Sequence, residues 1–212
     1  MIRAIFWDND GVLVDTEGLY FLATRQVLTT IGVDLTEELY RQLFLKQGKG
    51  AWHLAEKLGA GPDQIAGLRR QRDRLYSALL REQEVIMDGV TEVLSSLYGK
   101  YVMGIVTSSQ KGHFDIIHTS TGLLRYFDFV VAAGDYNKFK PDPEPYVTAV
   151  ARSGFSRSEC IAVEDSERGL ASALGAGIRC LVIPNDLTRA GCFEGAHKVL
   201  GNVKDVVTEL SQ

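Results

Sequence analysis

Short apolar segments alternate with helical patterns along most of this chain, and the alternation limits the folds that are open to it. The apolar segments are Ile2–Trp7, Tyr101–Val106, Phe129–Ala132, Cys160–Val163 and Ile178–Ile183. A short apolar run bounded by turn residues is typical of a buried strand. Strands that alternate with helices are typical of parallel βαβ units. The sequence therefore predicts an α/β fold with a doubly wound, mostly parallel sheet.

One long stretch breaks this alternation. Residues 16–85 contain no convincing strand but four helical patterns, which are Gly18–Ile31, Thr36–Leu45, Ala51–Leu58 and Asp63–Glu84. At about 70 residues the stretch is too long for an ordinary connection within one domain. We therefore predict a Rossmann-like core formed by residues 1–15 and 86–212. Residues 16–85 are predicted to form a small helical cap domain inserted after the first strand.

Composition excludes several classes of function. The 212 residues carry 27 acidic and 23 basic side chains, a formal net charge of −4. This mild acidity argues against binding to nucleic acid or to a membrane surface, since both usually need a basic stripe. No apolar run approaches the roughly 18 residues of a membrane-spanning helix. The cysteines Cys160, Cys180 and Cys192 lie in no C-x-x-C spacing, so we expect reduced thiols in a cytoplasmic protein.

Two aspartates follow the first predicted strand directly. Asp8 and Asp10 belong to an Asp-Asn-Asp-Gly sequence, in which the glycine favours a tight turn. In such a pair one carboxylate can attack phosphorus as a nucleophile, and the other can donate and accept the proton. For an isolated motif of this kind, an acidic turn without chemistry is the commoner case. The pair therefore needs support from the rest of the sequence.

Three further polar motifs follow later strands. Thr107 and Ser108 can hold a phosphate with hydroxyl and backbone N–H groups, or cap the next helix. Lys140 precedes a proline-rich turn that restrains its backbone, and its ammonium can hold a phosphoryl oxygen or lie solvated. Glu164 and Asp165 suit a hard cation such as Mg²⁺ unless they only cap a helix. Because the carboxyl ends of parallel strands meet at one edge, we expect all four motifs to form one site.

The four motifs in this order resemble those of the haloacid dehalogenase-like hydrolase superfamily. They are most similar to its β-phosphoglucomutase-like phosphatase branch. The matching residues are Asp8-Asn9-Asp10-Gly11-Val12-Leu13-Val14-Asp15-Thr16, Thr107-Ser108, Lys140-Pro141 and Glu164-Asp165-Ser166. Members of this branch carry a small helical cap where this chain has residues 16–85, so the resemblance covers the whole chain.

The resemblance implies a role for each matching residue. Asp8 would be the nucleophile, and Asp10 would be the general acid and base. Thr107, the backbone around Ser108 and the ammonium of Lys140 would bind the transferred phosphoryl group. These groups would stabilise charge on the equatorial oxygens of that group.

The resemblance also implies Mg²⁺ as the cofactor. Its ligands would be Asp8, the main-chain carbonyl of Asp10, Asp165 and Glu164, the last either directly or through water. The cation would shield the phosphate from the carboxylate that attacks it. The implied function is a phosphatase that hydrolyses a small phosphorylated metabolite through an aspartyl phosphate on Asp8.

Two alternatives to a phosphatase stay open. Mutases of this branch have a cap histidine where this chain has Tyr20, and a Ser-Arg pair in a cap loop where residues 45–52 are LKQGKGAW. Because both features are missing, a sugar-phosphate mutase is the second choice. A non-catalytic phosphate or sugar-phosphate sensor uses a similar acidic site, but such domains lack a cap and do not need Asp10. Asp10 also argues against a dehalogenase, because dehalogenases of this family lack the second aspartate.

Substrate choice is predicted to depend on the cap, since the core site handles only the phosphoryl group. From position alone, the candidate specificity residues are Glu17, Tyr20, Lys46, Gln47 and Lys49. We expect a monomer or weak homodimer whose partner is a small phosphorylated metabolite, without nucleic acid or membrane.

The sequence assigns no functional role to several other polar residues. The run RRQRDR at 69–74 is expected to form a solvated helix face. The four histidines show no spacing typical of metal ligands; they are His53, His113, His118 and His197. Asn9 stands where an apolar residue is often found between the two aspartates, but it removes no catalytic group.

Overall fold

Six strands form one sheet in the computed structural model, which describes residues 1–211. The strands are β1 (Ala4–Trp7), β2 (Val102–Val106), β3 (Phe129–Val131), β4 (Cys160–Glu164), β5 (Arg179–Val182) and β6 (Lys198–Val199). Their order is β3-β2-β1-β4-β5-β6, and every neighbouring pair is parallel. The predicted α/β class with a parallel sheet is confirmed. The sequence does not predict β6, because its two exposed residues contain no apolar run.

Nine α-helices lie in the described part of the chain. They are α1 (Glu17–Thr29), α2 (Glu37–Tyr40), α3 (Trp52–Lys57), α4 (Pro62–Glu82), α5 (Val90–Leu97), α6 (Lys111–Thr121), α7 (Glu144–Ser153), α8 (Glu167–Gly175) and α9 (Asp205–Leu210). A π-helix continues α2 over Arg41–Lys46, where the sequence predicts one uninterrupted helix. Two short 3₁₀-helices lie at Leu123–Tyr126 and Arg157–Glu159. None of the helices within residues 1–211 combines the length and apolar character needed to span a membrane.

The first strand occupies the centre of the sheet. In β1, Trp7 pairs with Ile105 of β2 on one side and with Val163 of β4 on the other. All four residues of β1 are fully buried, which explains its uninterrupted apolar sequence, since helices cover both faces of a parallel sheet. The strand order reverses between β1 and β4, and ligands bind at such a switch point in open α/β sheets. Asp8, the residue after β1, therefore lies where this fold places a ligand.

The chain divides into two compact units. One contains Met1–Asp15 and Val85–Gln212, and the other is Thr16–Glu84. Val85 belongs to the sheet unit, because its carbonyl accepts a hydrogen bond from the Asp15 N–H at 2.7 Å. The sequence places the same residue at the end of the cap. The boundary between the two units thus lies one residue earlier in the structure than in the sequence-based division.

The helical unit has a core of its own. Helix α1 packs against α4, and the four-residue spacing of buried side chains on α4 defines the inner face. These side chains are Leu68, Arg72, Tyr76 and Leu80. The Thr36 side chain accepts a hydrogen bond from the Leu39 N–H at 3.2 Å and caps α2.

Arg72 contradicts the expectation of a solvated arginine face. Only 4% of Arg72 is exposed, whereas Arg70 of the same run is exposed. The Arg72 guanidinium lies 4.5 Å from the centre of the Tyr20 ring and 5.6 Å from that of Trp52. It also donates hydrogen bonds to Asp73, at 2.7 Å, and to the Tyr20 hydroxyl. The charges in the run did not predict this burial, because a count of charges does not consider where each arginine lies on the helix.

We expect Arg72→Met to lower the free energy of unfolding by about 1–3 kcal/mol, since it removes the hydrogen bonds and the cation–π contact that the buried guanidinium makes. Arg70→Met, the matched exposed change on the same helix, should cost less than about 0.5 kcal/mol. Urea unfolding followed by tryptophan fluorescence measures both. Equal losses for the two variants would contradict the buried placement of Arg72.

Candidate active site

The carboxyl ends of β1, β2 and β4 bring the predicted motifs together. Asp8 follows β1, Thr107 follows β2, and Glu164 and Asp165 lie at the end of β4. Lys140, from the segment before α7, contacts both Asp8 and Glu164. Side chains from all four motifs therefore lie within one group of contacts at the switch point of the sheet.

The buried ammonium of Lys140 joins the motifs. It donates hydrogen bonds to Asp8 Oδ1 at 2.9 Å, to Glu164 Oε1 at 2.7 Å and to the Val106 carbonyl at 2.8 Å. An ammonium has three protons, so each of them has an acceptor. Burial alone would lower the pKa of Lys140, but Asp8 and Glu164 together raise it above its ordinary value. Lys140 is thus a charged, buried residue, and the solvated alternative is wrong.

Glu164 is fully buried and held by a second donor that the sequence did not indicate. The Tyr146 hydroxyl donates a hydrogen bond to Glu164 Oε1 at 2.6 Å. Burial, followed by the charge of Glu164, raises the pKa of Tyr146 well above its ordinary value, so this hydroxyl stays protonated. Tyr146 lies in the same proline-rich motif as Lys140, but a tyrosine at the start of a helix is also typical of a core position. Gly169 is necessary here, because a Cβ atom at that position would collide with the Glu164 carboxylate.

Asp8, Glu164 and Asp165 form a buried acidic cluster whose ligand atoms lie within 4.8 Å of one another. Within this cluster Lys140 forms ion pairs with Asp8 and Glu164. Burial, then the charge of Glu164, raises the pKa of Asp8 to about 8, although Lys140 opposes the shift. Buried carboxylates are unfavourable without compensating charge, and Mg²⁺ prefers oxygen ligands of this kind. The donor set therefore fits Mg²⁺.

Asp165 has an additional partner, Asn185, which follows β5. Asn185 Nδ2 donates to Asp165 Oδ2 at 2.8 Å, while its Oδ1 accepts from the backbone N–H groups of Leu187 and Thr188. The turn thereby orients the amide towards Asp165. Gly11 has a φ of +86°, and a Cβ atom there would collide with both Asp165 and Asn185. Sequence reasoning missed Asn185, since an asparagine in a turn usually has only a local role.

Asp10 lies among hydroxyl and amide donors. Its Oδ2 accepts from Ser109 Oγ at 2.5 Å, from Thr107 Oγ1 at 3.3 Å and from Asn9 Nδ2 at 3.3 Å. Thr107 does not cap the next helix, because α6 begins only at Lys111. Its predicted phosphate contact remains a prediction, and the structure assigns its hydroxyl to Asp10.

Two further residues lie near Asp10, and the sequence alone indicated little about either of them. Ser108 Oγ is buried and interacts with the Tyr136 side chain, and its hydroxyl is a candidate ligand for a phosphoryl oxygen. His118 Nε2 lies 2.8 Å from Asn9 Oδ1, and both residues are buried. Burial lowers the pKa of His118 to about 4, against the opposing effect of Asp10, so its ring is neutral near physiological pH. No motif or spacing in the sequence signalled this contact between His118 and Asn9.

The cap residues predicted to select the substrate lie within the helical unit. Glu17 accepts a hydrogen bond from the Tyr40 hydroxyl, and the Tyr20 hydroxyl accepts one from Arg72. The other three are exposed at or after the end of the π-helix and are Lys46, Gln47 and Lys49. Their role in specificity remains a prediction.

Comparison with known proteins agrees with this geometry. A family model described as haloacid dehalogenase-like hydrolase matches residues 5–183. The protein CbbY of Rhodobacter capsulatus is 31% identical over 220 residues, covering 98% of this chain and 96% of that protein. The chain therefore belongs to the haloacid dehalogenase-like hydrolases, and the predicted resemblance is confirmed.

Two further relatives extend the comparison. The phosphorylated carbohydrates phosphatase of Thermotoga maritima is 31% identical, covering 84% of this chain and 82% of that protein. A crystal structure of mutant CbbY from Rhodobacter sphaeroides in complex with xylulose-(1,5)bisphosphate is 28% identical, with a TM-score of 0.78. The structural match covers 95% of each chain. The likeness thus extends over both the sheet and the helical insertion.

The buried neutral His118 makes stability depend on pH. Between about pH 4 and 6.5 the unfolded chain takes up a proton that the folded protein does not, so stability falls as the pH falls through this window. His118→Gln removes this contribution. Relative to the variant, the wild type should lose up to about 3 kcal/mol of unfolding free energy between these limits. Urea unfolding at several pH values measures the difference, and parallel curves for the two proteins would show that the folded ring titrates normally.

Proposed function

We propose that this chain is a Mg²⁺-dependent phosphatase that transfers a phosphoryl group from a small phosphorylated metabolite to Asp8 and then to water. The observation that carries the proposal is the Lys140 ammonium, which holds Asp8 Oδ1 beside the buried carboxylates of Glu164 and Asp165. Membership of the hydrolase family and the phosphatase named among its relatives support the enzyme class.

Asp8 has to be ionised to attack phosphorus, and its surroundings oppose this in the absence of a further cation. Burial and Glu164 raise its pKa to about 8. We propose that Asp8, Glu164, Asp165 and the main-chain carbonyl of Asp10 hold Mg²⁺, with Glu164 bound directly or through water. When bound, Mg²⁺ supplies the positive charge that favours ionised Asp8 and reduces its repulsion from the phosphate.

The phosphoryl group needs donors on its other oxygens. All three protons of Lys140 have acceptors. We propose that, when the substrate binds, Lys140 exchanges one of these hydrogen bonds for one to a phosphoryl oxygen. The buried Ser108 hydroxyl is a second proposed donor. Thr107, predicted as a phosphate ligand, is proposed to contribute mainly by holding Asp10. Such preorganised donors stabilise charge on the transferred group.

We propose that Asp10 acts first as the general acid and then as the general base. An Asp8 carboxylate oxygen bonds to phosphorus as the bond from phosphorus to the substrate oxygen breaks, and the carboxylic acid of Asp10 gives its proton to that oxygen. The Asp10 carboxylate then takes a proton from a water molecule, which attacks the phosphorus of the aspartyl phosphate. Inorganic phosphate leaves, and Asp8 and protonated Asp10 are restored.

A phosphorylated sugar is the substrate class that we propose. One relative is named a phosphorylated carbohydrates phosphatase, and the solved CbbY mutant binds xylulose-(1,5)bisphosphate. The cap residues Glu17, Tyr20, Lys46, Gln47 and Lys49 are proposed to select within this class. We further propose a cytoplasmic monomer or weak homodimer.

The test is release of phosphate from p-nitrophenyl phosphate and from a set of sugar phosphates, with and without Mg²⁺. Turnover should require Mg²⁺, and Asp8→Asn should lower kcat at least about 1,000-fold, since it removes the nucleophile. Asp63→Asn, the same substitution at an exposed residue outside all four motifs, should keep wild-type activity.

Three results would contradict the proposal. Turnover that survives Asp8→Asn would exclude Asp8 as the nucleophile. Phosphate binding without any turnover would favour a sensor. Isomerisation of glucose 1-phosphate faster than phosphate release from any substrate would favour a mutase.

A further inference from the structure

A chain of hydrogen bonds runs from a backbone N–H group to Asp10. The Leu123 N–H donates to Thr121 Oγ1 at 3.4 Å, and Thr121 Oγ1 lies 3.0 Å from His118 Nδ1. On the other side of the ring, His118 Nε2 lies 2.8 Å from Asn9 Oδ1. Asn9 Nδ2 then donates to Asp10 Oδ2 at 3.3 Å.

The direction of this relay follows from the Asn9 amide, because Asn9 Nδ2 donates to Asp10 and its Oδ1, which faces His118, can only accept. His118 Nε2 therefore donates to Asn9 Oδ1, and Thr121, which accepts from the Leu123 N–H, gives its hydroxyl proton to His118 Nδ1. A neutral ring that accepts at Nδ1 carries its proton on Nε2 and donates there. Asn9 accepts that bond with Oδ1, and its N–H groups are therefore turned towards Asp10.

We propose that His118 is a positioning residue for Asp10 and acts through Asn9. Asp10 Oδ2 accepts bonds from Ser109, Thr107 and Asn9, so its lone pairs are occupied. The proton that Asp10 transfers is then carried on Oδ1. This inference rests on the proposed role of Asp10 as general acid and base.

The relay matters because one side of an asparagine amide accepts hydrogen bonds and the other side donates them. If the Asn9 amide turned over, Oδ1 would face Asp10 and accept the proton that Asp10 should deliver to the substrate. Asn9 is fully buried, so solvent cannot orient its amide. The His118 N–H selects the orientation that donates to Asp10. This explains why a polar residue is accommodated between the two aspartates, where an apolar one is often found.

The first test needs no variant. NMR of the protein labelled with ¹⁵N-histidine reports which ring nitrogen carries the proton. We expect a neutral His118 ring protonated at Nε2 near neutral pH. A proton on Nδ1, or exchange between the two tautomers, would overturn the relay.

The second test separates donation from packing. His118→Gln keeps an N–H group near the position of Nε2, whereas His118→Met fills a similar volume without a donor. With Mg²⁺ and p-nitrophenyl phosphate, His118→Met should lower kcat about 10-fold, since the proton donor is misplaced. KM should stay within about 2-fold, because the substrate contacts remain. His118→Gln should recover most of kcat. Equal kcat for the two variants, or a change confined to KM, would contradict a positioning role.

The third test removes Asn9 from between the two residues. In an Asn9→Leu background, His118→Met should have no further effect on kcat, because both changes break the same relay. Independent, multiplicative losses would overturn the proposal. If the wild type itself releases no phosphate, the proposed function fails first and the positioning role fails with it, even where the NMR result is as expected.

Discussion

The rest of the site depends on one buried ammonium. Lys140 donates to Asp8, Glu164 and the carbonyl of Val106, and so ties the segment before α7 to the ends of β1, β4 and β2. Removing its charge would leave two buried carboxylates uncompensated, which is strongly unfavourable. The interaction that holds these three strand ends together is thus the same one that fixes the proposed nucleophile.

Asp8 and Asp10 are two residues apart and lie in different environments. Asp8 belongs to a buried cluster of carboxylates around Lys140. Asp10 accepts hydrogen bonds from Ser109 and Thr107, and from the amide of Asn9. Two carboxylates in contrasting environments can take different roles in one reaction.

The sequence predicted the parts of the structure that depend on local pattern. Apolar runs indicated five of the six strands, and motifs adjoining strand ends indicated Lys140 and the acidic cluster. The sequence did not predict contacts between distant segments, because periodicity defines the buried face of a helix but not the side chains that pack against it. His118 is 109 residues from Asn9, and Arg72 is 52 residues from Tyr20. Neither pairing follows from composition, spacing or charge count.

The most direct measurement is to trap the phosphoryl group on the protein during turnover. Acid quenching followed by borohydride reduction converts an aspartyl phosphate into homoserine, which peptide mass spectrometry then locates. The proposed mechanism predicts homoserine at position 8, only when Mg²⁺ and a phosphorylated substrate are both present. Turnover without modification of Asp8, or with modification of another residue such as Asp10, would contradict a mechanism centred on the carboxylate that Lys140 holds.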